Sequence, residues 1–154
     1  MAGELRPPSL LALPSYLAGN VARIGHRHLV EALIAHELRL AHYAVLAALS
    51  DFGPLAQHEI ADRLDLNRSH LVGYVDHVEQ RGLVRRDRDP VDRRRMRVEL
   101  TPTGRALLRE LRPIARRSQS EFLAVLSKSE RETLTSLLRR VLEANDEARR
   151  TGAR

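Results

Sequence analysis

Apolar positions recur at helical spacing along most of the chain and alternate with polar ones in one short stretch near residue 100. Leu13, Leu17, Val21 and Ile24 are spaced by four, four and three residues, which predicts a helix over about 15–37. Tyr43, Val45, Leu46 and Leu49 predict a second helix over about 41–50, closed by Gly53 and Pro54. Ile60, Ala61 and Leu64 mark a short amphipathic helix over 57–64. Asp65, Leu66 and Asn67 then form a turn, and Asn67 is a good N-cap for a helix over about 68–81 with Leu71, Val75 and Val78 on one face. Gly82 suits the position just past its C-terminus.

There the period changes. Residues 83–86 read as a short strand, 87–95 as a loop containing Asp89-Pro90, and 96–100 as the returning strand of a hairpin, since Met96, Val98 and Leu100 alternate with polar residues. Pro102 suits the first turn of a long helix with Leu107, Leu111 and Ile114 as its stripe, and Pro113 is expected to kink or interrupt it. Ser129 and Glu132 have capping-box spacing, and a last helix runs to about 148 with Leu134, Leu137, Leu138, Val141 and Leu142 apolar. The fold class is therefore mainly α with a small β-hairpin. Its central order is helix, turn, helix, strand, basic loop, strand, which is a winged helix-turn-helix: one helix of a size to enter a major groove and a wing able to reach the adjacent minor groove.

Charge sharpens this picture. The 154 residues carry a formal net charge of +6, and residues 81–97 hold eight Arg against three Asp, so most of that excess sits in the predicted hairpin. A charge run by itself is a solvated face. Placed on a wing, it favours a polyanionic partner, double-stranded DNA. Composition also excludes chemistry: with no Cys there is no disulfide, thiol nucleophile, thiol redox sensor or Cys-based metal site. Aromatics are 3% of the chain, so its core must be Leu, Val, Ile and Ala. The apolar run at 10–13 is too short for a signal-peptide core, and no stretch approaches the roughly 18 apolar residues of a membrane span. The expectation is a cytoplasmic protein with no membrane partner.

The segments Leu64-Asp-Leu-Asn-Arg-Ser-His-Leu-Val-Gly-Tyr-Val-Asp76, Glu79-Gln-Arg-Gly-Leu-Val84, Asp89-Pro-Val-Asp-Arg-Arg94 and Leu100-Thr-Pro-Thr-Gly104 resemble the MarR family of bacterial transcriptional regulators. Tyr43-Ala-Val-Leu-Ala-Ala-Leu49 and Gln57-His-Glu-Ile-Ala61 also match its pattern. The resemblance covers about residues 30–145 and is most specific in the wing and the Leu-Thr-x-x-Gly segment. It implies a homodimer on a pseudo-palindromic operator, most often a repressor. The implied organisation is an N-terminal helical dimerisation segment over 1–40, a winged helix-turn-helix DNA-binding lobe over 41–100 and a C-terminal helical dimerisation segment over 101–154.

The expected DNA-binding residues are Asn67, Arg68, Ser69 and His70 at the start of the recognition helix, Gly73 further along it, and Arg85, Asp92, Arg93, Arg94 and Arg95 in the wing. Arg68 can pair with guanine, while Asn67 has a competing role as a plain N-cap. The resemblance gives Asp92 the bracing of the loop and Arg94 the minor groove. Gly73 and His77 depart from the family, which often has Arg at both positions. Tyr74 has two readings, against the DNA backbone or within the lobe.

The resemblance also implies a small anionic or aromatic effector, with His36, Tyr43 and Arg86 as candidates by position. His26, His28, His36 and His42 cluster in the early helices, but no His follows His77, so the expectation is no metal and no cofactor. The chain lacks a supported Ser-His-Asp arrangement, a Gly-rich phosphate loop and a His-Glu-x-x-His motif, so no catalytic residue is assigned and an enzyme is not expected. The alternatives to a sequence-specific regulator are a non-specific architectural DNA-binding protein and a His-based metal-responsive regulator.

Overall fold

The computed structural model describes residues 5–152. Residues 1–4 and 153–154, the outermost positions of the two expected terminal segments, lie outside the described residues. The chain divides into two compact units, residues 1–118 and 119–154.

The first unit begins with α1 (Pro8–Leu11), α2 (Pro14–Gly25) and α3 (Arg27–Ala35). The single helix expected over 15–37 is thus two helices, broken at His26. The Ser118 hydroxyl, 93 residues later, donates to the Gly25 carbonyl at this break. A side chain inserted at a backbone carbonyl is a recognised cause of helix breaks. Glu37 adopts a left-handed φ of +56° and turns the chain into α4 (Leu40–Phe52). There the His42 Nδ1 accepts from the Arg39 backbone N–H at 2.9 Å, satisfying a free donor at the helix start. Gly53, at φ +79°, ends α4.

Then come α5 (Gln57–Leu64) and α6 (Arg68–Gln80). The Glu59 carboxylate reaches back to the Ala56 N–H at 2.8 Å. Asp65, in the left-handed region at φ +52°, makes the tight turn between the two helices. Asn67 caps α6, its side chain accepting from the Ser69 N–H at 2.9 Å. The hairpin is β1 (Val84–Arg88) and β2 (Met96–Leu100), antiparallel, with Val84 opposite Leu100 and Arg88 opposite Met96. Leu55 adds a β-bridge to Val98, an extra pairing that a one-residue segment does not announce in sequence.

One core holds this unit together. Val45, Leu46, Ile60, Leu71, Val75, Val78, Val84, Val98, Leu108 and Leu111 are all 0–2% exposed. Each belongs to the inward face of its element, as the helical and strand periods require. Tyr74 packs against this core, its ring edge-on to His42 at 5.4 Å between centroids.

Helix α7 (Pro102–Phe122) begins in the first unit and runs on through Pro113. The expected interruption does not occur. Pro113 and Arg109 are both exposed, so the carbonyl that loses its intrahelical donor there can bond to water.

The second unit contains the end of α7 and α8 (Lys128–Thr151). The helix starts two residues earlier than expected. Ser-x-x-Glu occurs at both 127–130 and 129–132, and the first pair is the one used: the Glu130 carboxylate accepts from the Ser127 N–H at 2.7 Å and the Ser127 hydroxyl accepts from the Glu130 N–H at 3.3 Å. None of the α8 side chains is buried, and Leu137, Leu138, Val141 and Leu142 are 49–70% exposed. In the first unit, Leu13 at the N-cap of α2 and Leu17, Val21 and Ile24 on the helix form a second exposed apolar stripe. Among the described residues no single helix is long and apolar enough to cross a membrane.

Candidate nucleic-acid interface

Leu71, Val75 and Val78 pin α6 to the core, which turns the opposite face outward. Asn67, Arg68, Ser69 and His70 lie at its exposed N-terminal end. Three of them already have partners. The Asn67 Oδ1 accepts from the Ser69 N–H and from the Ser69 hydroxyl, the latter at 2.5 Å. Arg68 donates to the Asp62 carboxylate of α5 at 3.2 and 3.3 Å, across an exposed pair. His70 has no hydrogen-bond or ion-pair partner among the described residues. Gly73 faces open space, where an added Cβ would meet nothing within 4 Å. Beside it Val72 is 43% exposed; one apolar side chain off the buried stripe carries no periodic signal in the sequence.

The wing is held by backbone capture. The Asp89 carboxylate accepts from the N–H groups of Val91 and Asp92 at 2.8 and 3.1 Å, and the Asp92 carboxylate accepts from the Arg94 N–H at 3.1 Å. Those two N–H groups hold the Asp89 carboxyl below the usual carboxylate range, helped by Arg97 and Arg95. Backbone bonds between Asp89 and Arg95 (2.9 Å) and between Arg95 and Asp92 (2.9 Å) close the loop. Asp89 is not among the expected site residues; its signals in sequence are the Asp-Pro turn and its place at the head of the wing segment Asp89–Arg94.

The arginines of this region have different fates. Arg85 pairs with Glu99 at 2.5 Å across the hairpin. Arg97 donates to the Pro54 carbonyl at 2.9 Å and lies 3.6 Å from Asp89. Arg95 lies 3.6 Å from Asp92. The side chains of Arg93 and Arg94 are exposed and have no protein partner among the described residues. Within the hairpin, the side chains of Arg93 and Arg94 thus leave two uncompensated positive charges at the wing tip, where a phosphate or a narrow minor groove would meet them.

Of the effector candidates, His36 lies 3.5 Å from Glu110 of α7, Tyr43 packs half-buried against the core, and Arg86 is held by Gln57, Asp76 and Glu79. The three share no hydrogen bond or ion pair. His42 is 6% exposed and stacks on His77 at 4.5 Å. Burial first, then His77 and Arg39, lower its pKa to about 4. The His77 Nε2 lies 2.8 Å from the Glu37 carbonyl oxygen, and Arg81 pairs with the Glu37 carboxylate, so the far end of α6 is tied to the turn before α4. Among the described residues no group of three or more His, Asp or Glu side chains is placed to hold a metal ion.

Comparison with known proteins agrees with this geometry. The MarR family model matches residues 38–96. The HTH-type transcriptional repressor NicR of Pseudomonas putida is 33% identical over 112 residues, 73% of this chain and 71% of the relative. The transcriptional regulator PcaV of Streptomyces coelicolor, solved in complex with its natural ligand, is 33% identical with a TM-score of 0.75, over 88% of this chain and 96% of that one. BpsR of Bordetella bronchiseptica, whose DNA binding is regulated by 6-hydroxynicotinic acid, is 26% identical with a TM-score of 0.76, over 84% of this chain and 93% of that one. The chain spans between 63% and 80% of the length of several curated relatives that it matches.

Proposed function

This chain belongs to the MarR family of transcriptional regulators, and we propose that it acts as a homodimeric repressor on a pseudo-palindromic operator. The N-terminal half of α6 enters the major groove of each half-site, with Arg68 and His70 at its leading end. Arg93 and Arg94 of the wing meet the flanking minor groove and phosphates. The observation that carries this reading is the distribution of free charge. A protein that merely tolerated an Arg-rich hairpin would gain by pairing those side chains internally. Here Arg85, Arg86 and Arg97 are paired with carboxylates, while the side chains of Arg93 and Arg94 at the tip have no protein partner among the described residues.

The exposed apolar stripes support the homodimer. Leu13 at the N-cap of α2 with Leu17, Val21 and Ile24 on the helix, and Leu137, Leu138, Val141 and Leu142 on α8, lie at helical spacing and are 40–70% exposed. Burying such stripes against a second copy removes apolar area from water at about 25 cal/mol per Å².

A small anionic or aromatic effector that favours a conformation with misplaced recognition helices would release the DNA. The coupling is its difference in affinity for the two conformations. His36 and Tyr43 are the side chains we assign to it. Arg86, already carrying two carboxylates, we assign to bracing.

A footprint on the DNA flanking the gene tests the reading, with competitor DNA present and Arg94→Ala beside the natural protein. Protection over two successive major grooves, much weakened in the variant, is the expected result. Uniform weak protection that vanishes at moderate salt would instead identify a non-specific architectural protein.

A further inference from the structure

Behind Arg68 and His70 at its leading end, the middle of the outward face of the recognition helix is short of free hydrogen-bonding groups. Ser69, Val72, Gly73 and Asp76 stand at i, i+3, i+4 and i+7, so they share one face of α6. The Ser69 hydroxyl is engaged by the Asn67 carboxamide oxygen, and the Asp76 carboxylate by Arg86. Gly73 offers no side chain. What remains on the first two turns of this face is the pair of Val72 methyl groups, 43% exposed, beside bare backbone.

Gly73 also needs a reason to be there. Glycine in a helix interior is unfavourable relative to alanine, and nothing in the protein requires it, since a Cβ would have no neighbour within 4 Å. The space it leaves therefore serves whatever approaches from outside. In a major groove the apolar group on offer is the thymine C5-methyl, and an apolar side chain is its match.

We propose that Val72, with the clearance left by Gly73, reads a thymine methyl group in each operator half-site. This makes base recognition by the middle of that face apolar, beside the polar groups of Arg68 and His70 at its leading end. The inference rests on the DNA-binding reading above and deepens it: it specifies an A·T pair at a fixed position in the half-site, read by its methyl group and not by its hydrogen-bonding edge.

The test uses full-length protein. Selection from random duplexes first defines the preferred site. Each thymine in it is then replaced by deoxyuridine, which removes the methyl group and leaves base pairing unchanged, and affinity is measured for the natural protein and for Val72→Ala. Val72 is exposed, so the variant keeps the core. One thymine per half-site is expected to weaken natural-protein binding about fourfold when demethylated, the change for one buried methyl group, with no such penalty in Val72→Ala. Two results overturn the proposal while leaving specific DNA binding intact: no thymine is sensitive, or the same thymine is equally sensitive in both proteins. Failure to select any preferred site overturns the DNA-binding reading and this inference together.

Discussion

Arg86 of β1 donates through Nη2 to the Asp76 carboxylate of α6 at 2.5 Å. Its backbone N–H donates to Glu79 at 3.0 Å, its guanidinium also reaches Glu79, and its Nε donates to Gln57 of α5 at 2.8 Å. One side chain thus fastens the wing to both helices of the helix-turn-helix. Partial burial opposes its charge, but the two carboxylates outweigh that and hold its pKa above the usual guanidinium value.

Replacing Arg86 by Ala is expected to lower folding stability by about 2 kcal/mol, the scale for losing charge-assisted hydrogen bonds. Thermal unfolding measures it. Arg86→Lys should recover little, because a single ammonium cannot serve three acceptors as a planar fork does. An unchanged midpoint in Arg86→Ala would remove the bracing role and return Arg86 to the effector candidates.

The wing arginines should separate in a salt titration of operator binding. Arg93→Ala and Arg94→Ala are each expected to reduce the slope of log K against log salt by about 0.9, one released counterion per lost phosphate contact. Arg85→Ala should leave the slope nearly unchanged, since its guanidinium is neutralised by Glu99. Equal changes in all three would mean that the internal pairs open on DNA.

Two glycines should respond in opposite directions to alanine. At Gly104 a Cβ would stand 2.0 Å from the Leu83 carbonyl oxygen, so the start of α7 must shift and stability should fall by about 2 kcal/mol or more. At Gly73 there is open space, and Ala should raise stability by about 0.5–1 kcal/mol through helix propensity. Denaturant midpoints of the two variants check both signs.

His42 predicts acid sensitivity. Its pKa is about 4 in the folded chain against an ordinary 6.5. Between those values the unfolded chain binds more protons, so this contribution to stability is complete above pH 6.5 and is lost as pH falls toward 4, by about 3 kcal/mol at most. Protonation of Nδ1 would also remove the acceptor that caps α4. His42→Gln keeps an acceptor at that position, so its stability profile between pH 6.5 and 4 should be flatter. A profile as steep as that of the natural chain would assign the acid sensitivity elsewhere.

Much of this architecture was legible in the order of residues because its causes are local. Helical spacing placed α4 to α8, alternation placed β2, Asn67 marked the start of α6 and Gly82 its end. Each of these depends on neighbours within about four positions, the range over which helix periodicity and capping act. The same locality explains the misplaced start of α8: two Ser-x-x-Glu patterns overlap, and local spacing does not rank them.

What tertiary structure alone decided lies in contacts between distant residues. Ser118 meets Gly25 across 93 positions and coincides with the break in the first long helix. Pro113 lies exposed on α7, and the helix runs on through it. Above all, the sequence marks Arg85, Arg93, Arg94 and Arg95 alike as DNA-binding residues and Arg86 as an effector candidate, without saying which of the eight arginines between 81 and 97 are neutralised inside the protein. Only folding sorts them, by bringing Glu99 to Arg85, Asp76 and Glu79 to Arg86, and Asp89 to Arg97, and leaving Arg93 and Arg94 unpaired. A charge's availability depends on its distance to the opposite charge, and that distance exists only once the chain has folded.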